Sequence, residues 1–311
     1  MKLTRRQLLR LGAGAGLAAL AGWRPRRAEA SGRATQPDLV TKPIPSSGEE
    51  VPVVGVGTRN YRVDLDGGDL TPYRETLRVF AEGGGKVVDT APSYGNSESV
   101  LGKILGDLRV RDLLFLATKV DREGREAGIG RMEDSLRKLG TDHVELMQVH
   151  NLRDWQTQIP TLREWQEEGR IRYVGVTTSF ERQYEELEEV MRQKDLDFIQ
   201  VDYALDDRGA ADRILPLARD RGMAVLVNLP FGRGRLFRKT RGVPLPGWAS
   251  EIGCETWAQA FLKYVVSHPA VTAAIPGTTE PGHMRDNLGA ARGELPDADL
   301  RKRMEAFADG L

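Results

Sequence analysis

Residues 86–98 read KVVDTAPSYGNSE: an apolar run that ends on Asp89 and breaks into a polar turn carrying Tyr94. This is how a short buried strand looks when it delivers an acid to its own C-terminal end. The pattern repeats outward in both directions. Strand-like runs at 53–57, 86–89, 113–119, 144–149, 173–177, 198–201, 224–228 and 272–275 alternate with helical periodicity at about 72–82, 97–106, 126–139, 156–168, 180–193, 209–221, 254–267 and 282–290. TSFE at 178–181 reads as a capping box, and Gly140, Gly169 and Gly222 stand where helix C-caps belong. Eight β-then-α units predict an α/β fold, a (β/α)8 TIM barrel, since such barrels need roughly 250 residues. The structural alternative is an open doubly wound sheet. Against it, GVGTRN at 55–60 lacks the third glycine of a dinucleotide fingerprint and runs into a loop.

In a barrel of this kind the C-terminal strand ends face one common mouth. Asp89 ends the second strand, Tyr94 follows it, Lys119 ends the third and His150 follows the fourth, so the four are expected to converge. Their chemistry is mutually supportive. A carboxylate keeps a neighbouring ammonium charged, an ammonium beside a phenol stabilises the phenolate, and a histidine within reach can place a carbonyl oxygen. Each residue alone also reads as an ion pair or as packing. Four at successive strand ends point to a site.

VVDTAPSYGNSE, LATK (116–119) and QVHN (148–151) resemble the motifs of the aldo-keto reductase family. Order and spacing agree from IPSSGEEVPVVGVGT (44–58) to IPGTTEPGHMRDNLGA (275–290). The resemblance implies NAD(P)H-dependent reduction of an aldehyde or ketone, with Asp89, Tyr94, Lys119 and His150 as catalytic residues and Tyr94 as proton donor. It implies NADP(H) as cofactor, with NAD(H) the alternative. Thr178, Ser179 and Gln200 match the positions that hold the nicotinamide amide; Asn228, Leu229 and Phe231 stand where many relatives carry a stacking aromatic. Gly277, Thr278 and His283 replace the lysine, serine and arginine common in NADP-preferring relatives, while Asp286 and Asn287 fit the adenine contacts.

The start of the chain reads differently. Paired Arg5 and Arg6, the apolar LGAGAGLAALAG and the small-residue AEA ending at Ala30 resemble a twin-arginine (Tat) signal peptide. A basic amphipathic helix or membrane anchor is the alternative. The expected organisation is a signal over 1–30, an extended lead-in over 31–43, and one oxidoreductase domain over 44–311. Export by the Tat machinery to the periplasm, or another extracytoplasmic space, follows. Residues 1–30 hold seven cations and one anion of a chain with net charge 0, so the remainder carries −6. That balance disfavours nucleic acid as a partner, and nothing after residue 30 is long and apolar enough to span a membrane. A lone Cys254 and four histidines (His143, His150, His268, His283), with no paired-ligand spacing, give no metal site.

FGRGRLFRKTRG at 231–242 is expected to form either a solvated loop or a basic lid over the cofactor's phosphates. Loops at 59–71, 121–126, 151–156 and 229–253 would bound the substrate, with Tyr61, Trp155, Phe231 and Trp248 as candidate aromatic walls. The leading function is an exported carbonyl reductase acting on a small-molecule carbonyl substrate. Two others remain open: a non-catalytic pyridine-nucleotide-binding subunit or redox sensor, and a lyase or hydrolase using Lys119 as a Schiff-base amine.

Overall fold

The computed structural model describes residues 38–311. The expected export signal therefore lies outside the described residues. A hairpin comes first, with β1 (Thr41–Pro43) antiparallel to β2 (Glu50–Pro52). Strands and helices then alternate: β3 (Val56–Gly57), α1 (Thr71–Glu82), β4 (Val87–Asp89), α2 (Ser97–Leu108), β5 (Phe115–Val120), α3 (Arg125–Leu139), β6 (Val144–His150), α4 (Trp155–Glu167), β7 (Ile171–Thr177), α5 (Tyr184–Gln193), β8 (Phe198–Asp202), α6 (Ile214–Asp220), β9 (Ala224–Asn228), α7 (Arg235–Lys239), α8 (Trp248–Glu251), α9 (Trp257–Val266), β10 (Ala273–Ala274), α10 (Pro281–Gly289) and α11 (Ala298–Asp309). β3 to β10 pair in sequence order as one parallel sheet. Single parallel bridges, Val54 to Ala274 and Gly57 to Gly277, join its first and last strands, so the sheet closes as the (β/α)8 barrel read from the sequence.

Strand periodicity explains what fills the barrel. On the interior face of the central strands, Phe115, Leu146, Tyr173 and Phe198 lie at the N-terminal end in one apolar cluster with Ala117, Ala224 and Leu226. The alternate residues, such as Leu116, Met147, Val174 and Ile199, pack outward against the helices. The rings of Phe115, Tyr173 and Phe198 meet pairwise at 5.5–5.8 Å. Four residues further along the same interior rows stand Lys119, His150 and Thr177, with Gln148 and Gln200 two residues before the strand-end level. Gly175 leaves room among them, because a Cβ there would sit 2.9 Å from the Phe198 carbonyl oxygen and 3.2 Å from the Gln148 side chain.

The hairpin covers the apolar end. Ile44 and Val51 join the interior cluster, and Lys42 Nζ donates to the carbonyls of Val266, His268 and Val271 at 2.7, 3.0 and 2.7 Å. The Tyr173 hydroxyl, at the foot of β7, donates 2.7 Å to Glu49 and lies 2.7 Å from Ser47. Within the expected lead-in, Thr41–Pro43 form β1 and Lys42 ties it to the barrel, while Ile44 and Val51 lie past it.

Several local readings differ from the structure. Thr178 does not cap a helix through a reciprocal box: its Oγ1 accepts from the Phe180 amide at 3.2 Å and donates to Gln183 at 2.6 Å, and α5 begins only at Tyr184 after a single 3-10 turn. A 3-10 turn over Arg111–Leu113 delays the third barrel strand to Phe115. α11, absent from the sequence reading, is capped by Asp297, whose side chain accepts from Leu300 N at 2.8 Å. Gly140, Gly169 and Gly222 do adopt the left-handed conformation beyond their helices. Because the three rings close the barrel floor, Phe198→Ala is expected to lower unfolding stability by about 3–5 kcal/mol. Urea denaturation checks this; an unchanged midpoint would show that the floor relaxes around the hole.

Candidate active site

Asp89, Lys119 and His150 reach the barrel mouth because each ends a parallel strand, and Tyr94 because a turn follows Asp89 at once. The Tyr94 amide donates to the Ala91 carbonyl at 3.0 Å and Gly95 adopts φ 67°, which folds the segment back over the strand ends. At the centre, Lys119 Nζ donates to Asp89 Oδ2 and to the Thr90 carbonyl, both at 2.7 Å. Lys119 is 0% and Asp89 2% exposed. Gln200 Nε2 donates to Asp89 Oδ1 at 2.8 Å and Gln148 Nε2 does so at 3.3 Å. The carboxylate is thus fully engaged. Burial alone would lower the Lys119 pKa, but the Asp89 carboxylate and then Tyr94 outweigh it and hold the ammonium above its ordinary value.

Tyr94 and His150 stand over this pair. Lys119 Nζ is 5.3 Å from the Tyr94 ring centroid, and the Tyr94 and His150 rings meet edge-on at 6.0 Å. Burial, followed by the charge of Lys119, pushes His150 down to about 3, so its imidazole is neutral in ordinary buffers. Its Nδ1 lies 3.4 Å from Ser93 Oγ. The group therefore combines a fixed cation, a phenol and an uncharged imidazole at the base of a cavity of about 570 Å³.

The remaining expected residues divide between two cavities. Ser179, Gln200, Asn228, Leu229, Phe231 and Gly277 line the first. Phe231 and Gly277 also line a second cavity of about 390 Å³, together with Thr278, His283, Asp286 and Asn287. Thr178 lines neither; its side chain is spent on its own loop, and its carbonyl accepts from Asn228 Nδ2 at 3.1 Å. Gln200 keeps its place in the wall with its amide committed, Nε2 to Asp89 and Oε1 to Thr177 and Asn228 at 3.3 and 3.4 Å. Asp286 is held by Thr256 and Gln259, at 2.7–3.0 Å. Of the four candidate aromatic walls only Phe231 lines the first cavity; Tyr61, Trp155 and Trp248 are buried in the core.

The basic segment 231–242 is not an open loop. Arg235 pairs with Asp206 and Asp207 at 3.0 and 3.1 Å and opens α7, and Gly232 at φ 56° lies so close to Asp206 that a Cβ would clash at 2.2 Å. Arg233 alone of its cations lines the cavity, donating 3.2 Å to the Ser179 carbonyl across the mouth. Sequence reasoning passed over Gln148, although it lies two residues before His150 on the same strand face, where a polar side chain inside a barrel invites the question of its partner. The loop at 59–71 does line the cavity, through Arg59, Asn60 and Arg62, though loop sequence offers no periodic signal to single them out. Among the described residues no group of three or more His, Cys, Asp or Glu is placed to hold a metal ion, and no helix is long and apolar enough to cross a membrane.

A parallel barrel with a phenol, a buried ammonium–carboxylate pair and an imidazole at successive strand ends is the arrangement shared with a known class of proteins. The sequence pattern described as "Aldo/keto reductase family" matches residues 54–307, and the chain belongs to that family. Methylglyoxal reductase YeaE of Escherichia coli is 30% identical over 277 residues, 86% of this chain and 95% of its own length. The NADH-specific methylglyoxal reductase of the same organism is 26% identical over 281 residues, 71% of this chain and 84% of its own. Among solved structures, an aldo/keto reductase from Klebsiella pneumoniae in complex with NADP and acetate superimposes with a TM-score of 0.71 at 26% identity, covering 84% of this chain and 92% of that one.

Removing one member of a buried ion pair leaves the other charged and unsolvated, a loss of about 3–5 kcal/mol. Lys119→Met is accordingly expected to lower the unfolding midpoint at pH 7 and to abolish activity, whereas the double variant with Asp89→Asn recovers most of the stability and none of the activity. A single variant as stable as the parent would show that water reaches Asp89.

Proposed function

We propose that the chain is an NAD(P)H-dependent reductase of a small aldehyde or ketone, with Tyr94 as its proton donor. The observation that carries this reading is the buried Lys119–Asp89 pair set directly beneath Tyr94 and beside neutral His150. The two cavities sharing Phe231 and Gly277 suit a long ligand with two lobes, and Asn228 Oδ1 is buried without a partner among the described residues, an acceptor available to a carboxamide N–H. The residues present therefore fit a nicotinamide dinucleotide. Ser179, Asn228 and Leu229 would hold its nicotinamide end, and Thr278, His283, Asp286 and Asn287 its adenosine end. When bound, that group supplies a hydride to the carbonyl carbon.

The chain's own part is to manage the oxygen. As negative charge grows there, the Tyr94 hydroxyl donates its proton, and the ammonium of Lys119 stabilises the phenolate left behind. Lys119 keeps its proton, since the pairing with Asp89 favours the ammonium. His150, being neutral, can donate one ring N–H to the carbonyl oxygen without adding a charge to the mouth.

The relatives support the substrate size and both cofactors, one neighbour holding NADP and one relative being NADH-specific. NADP(H) is the first choice and NAD(H) the alternative. Titration of the purified protein with each, followed by oxidation of the tighter binder in the presence of methylglyoxal, tests the reading. Tyr94→Phe is expected to keep the cofactor's Kd while kcat falls by roughly 10² or more. Turnover retained in that variant would remove Tyr94 from the role.

Export is proposed on sequence alone. Arg5, Arg6 and the small-residue stretch ending at Ala30 support a folded, Tat-dependent passage out of the cytoplasm. With both arginines changed to lysine, the protein is expected to stay in the cytoplasmic fraction; equal amounts outside for parent and variant would remove the signal.

A further inference from the structure

Three arginines line the cavity above the catalytic group: Arg59, Arg62 and Arg233. Two of them are in use. Arg62 Nε donates to the carbonyls of Arg59 and Tyr94 at 3.1 and 3.2 Å, and Arg233 spans the mouth to Ser179. Arg59 has neither a hydrogen bond nor an ion pair from its side chain among the described residues. It sits two residues beyond the end of β3, on the lip that faces Tyr94 and His150. Its charge is felt there: after burial and Lys119, and against Asp121, Arg59 also acts to keep His150 unprotonated.

Among the described residues no carboxylate is left over to balance it. Asp89 is the only acid of theirs lining the cavity and belongs to Lys119. Asp121, the acid acting on His150, is taken by Arg131 and Arg122 at 2.9 and 3.0 Å. With no hydrogen-bond partner of its own among the described residues, the Arg59 guanidinium is open to an anion carried by whatever enters at the rim. For a substrate with its own anion it gives a planar, two-pronged donor and a reason for the cation to be there.

We propose that the substrate is a carbonyl compound bearing a carboxylate, its carbonyl oxygen at Tyr94 and its carboxylate on Arg59; this rests on the carbonyl-reductase reading above. Arg62 and Arg233 also lack a carboxylate partner, but each donates to a backbone carbonyl, which leaves Arg59 the guanidinium with all its donors open to a carboxylate. In the reaction the carbonyl carbon accepts a hydride from the reduced nicotinamide, which is thereby oxidised. The oxygen takes the Tyr94 proton, a hydroxy acid is released, and the carboxylate is unchanged throughout.

The test uses two aldehydes of nearly equal shape, 4-carboxybenzaldehyde and its methyl ester, with the full chain and NADPH. The acid is expected to show a kcat/KM about tenfold or more above the ester, mainly through KM, as a charge-assisted contact would give. Added salt should narrow that gap, since the arginine is exposed. Arg59→Met should erase it by lowering the acid's value far more than the ester's, and Arg59→Lys should restore part. Equal values in the parent, or a preference that survives Arg59→Met, would overturn the proposal. Failure of the reductase reading shows separately, as neither NADPH nor NADH consumed with either aldehyde. Calorimetry of benzoate against benzamide on the protein in NADP+ then decides: tighter benzoate binding lost in Arg59→Met upholds the anion site, and equal binding of the two removes it.

Discussion

The buried pair between Lys119 and Asp89 is the constraint around which the rest of the barrel is arranged. Two opposite charges buried this deeply are stable only when their remaining hydrogen-bonding capacity is met. Here Thr90, Gln148 and Gln200 meet it, drawn from β4 and its turn, β6 and β8. Each of these contacts requires its strand to be in register to within one residue, because a slip would turn the amide outward. The pair thus costs desolvation and in return makes the barrel's register specific, while Tyr94 and His150 inherit a fixed cation beneath them.

That arrangement also explains how the interior divides. Along β5 the inward residues run Phe115, Ala117, Lys119, and along β6 Leu146, Gln148, His150. Apolar bulk is confined to the N-terminal half and polar function to the C-terminal half of the same rows. The hairpin β1–β2 closes the apolar half, with Ile44 and Val51 inserted from below, so water enters from the other end.

Much of this was legible because it follows period two. A run such as VELMQVH shows both its strand and its inward face, and Asp89, Lys119 and His150 could be placed at a common mouth on that ground alone. What escaped was anything decided by a partner far along the chain. Thr178 looked like a cap until its own loop claimed the hydroxyl, and Gln200 matched a position for the nicotinamide amide, yet Asp89 holds its Nε2. Arg235 read as part of either a solvated loop or a basic lid, but Asp206 and Asp207 fix it at the start of α7. Tyr61, Trp155 and Trp248 sit in loops or at helix starts, where sequence gives no face, and the core took all three.

Strain collects at the mouth as well. Asn151, Leu152 and Asp154, which follow His150, and Leu229 and Arg233, which follow β9, are non-glycine residues held at φ between 50° and 58°. Such conformations are unfavourable for residues with a Cβ and persist only where surrounding contacts over-determine them. For the first loop those contacts are visible: Asp154 accepts from the Gly124 amide at 2.7 Å and from Thr157 at 2.9 Å, and the Asn151 carbonyl accepts from Gln183 at 3.0 Å. For the second, Arg233 holds Ser179 and Arg235 holds the two aspartates. A loop fixed this way cannot relax toward whatever enters, so the cavity's shape and charge are set before binding. On the rim facing Tyr94 the cation these contacts leave untied among the described residues is Arg59.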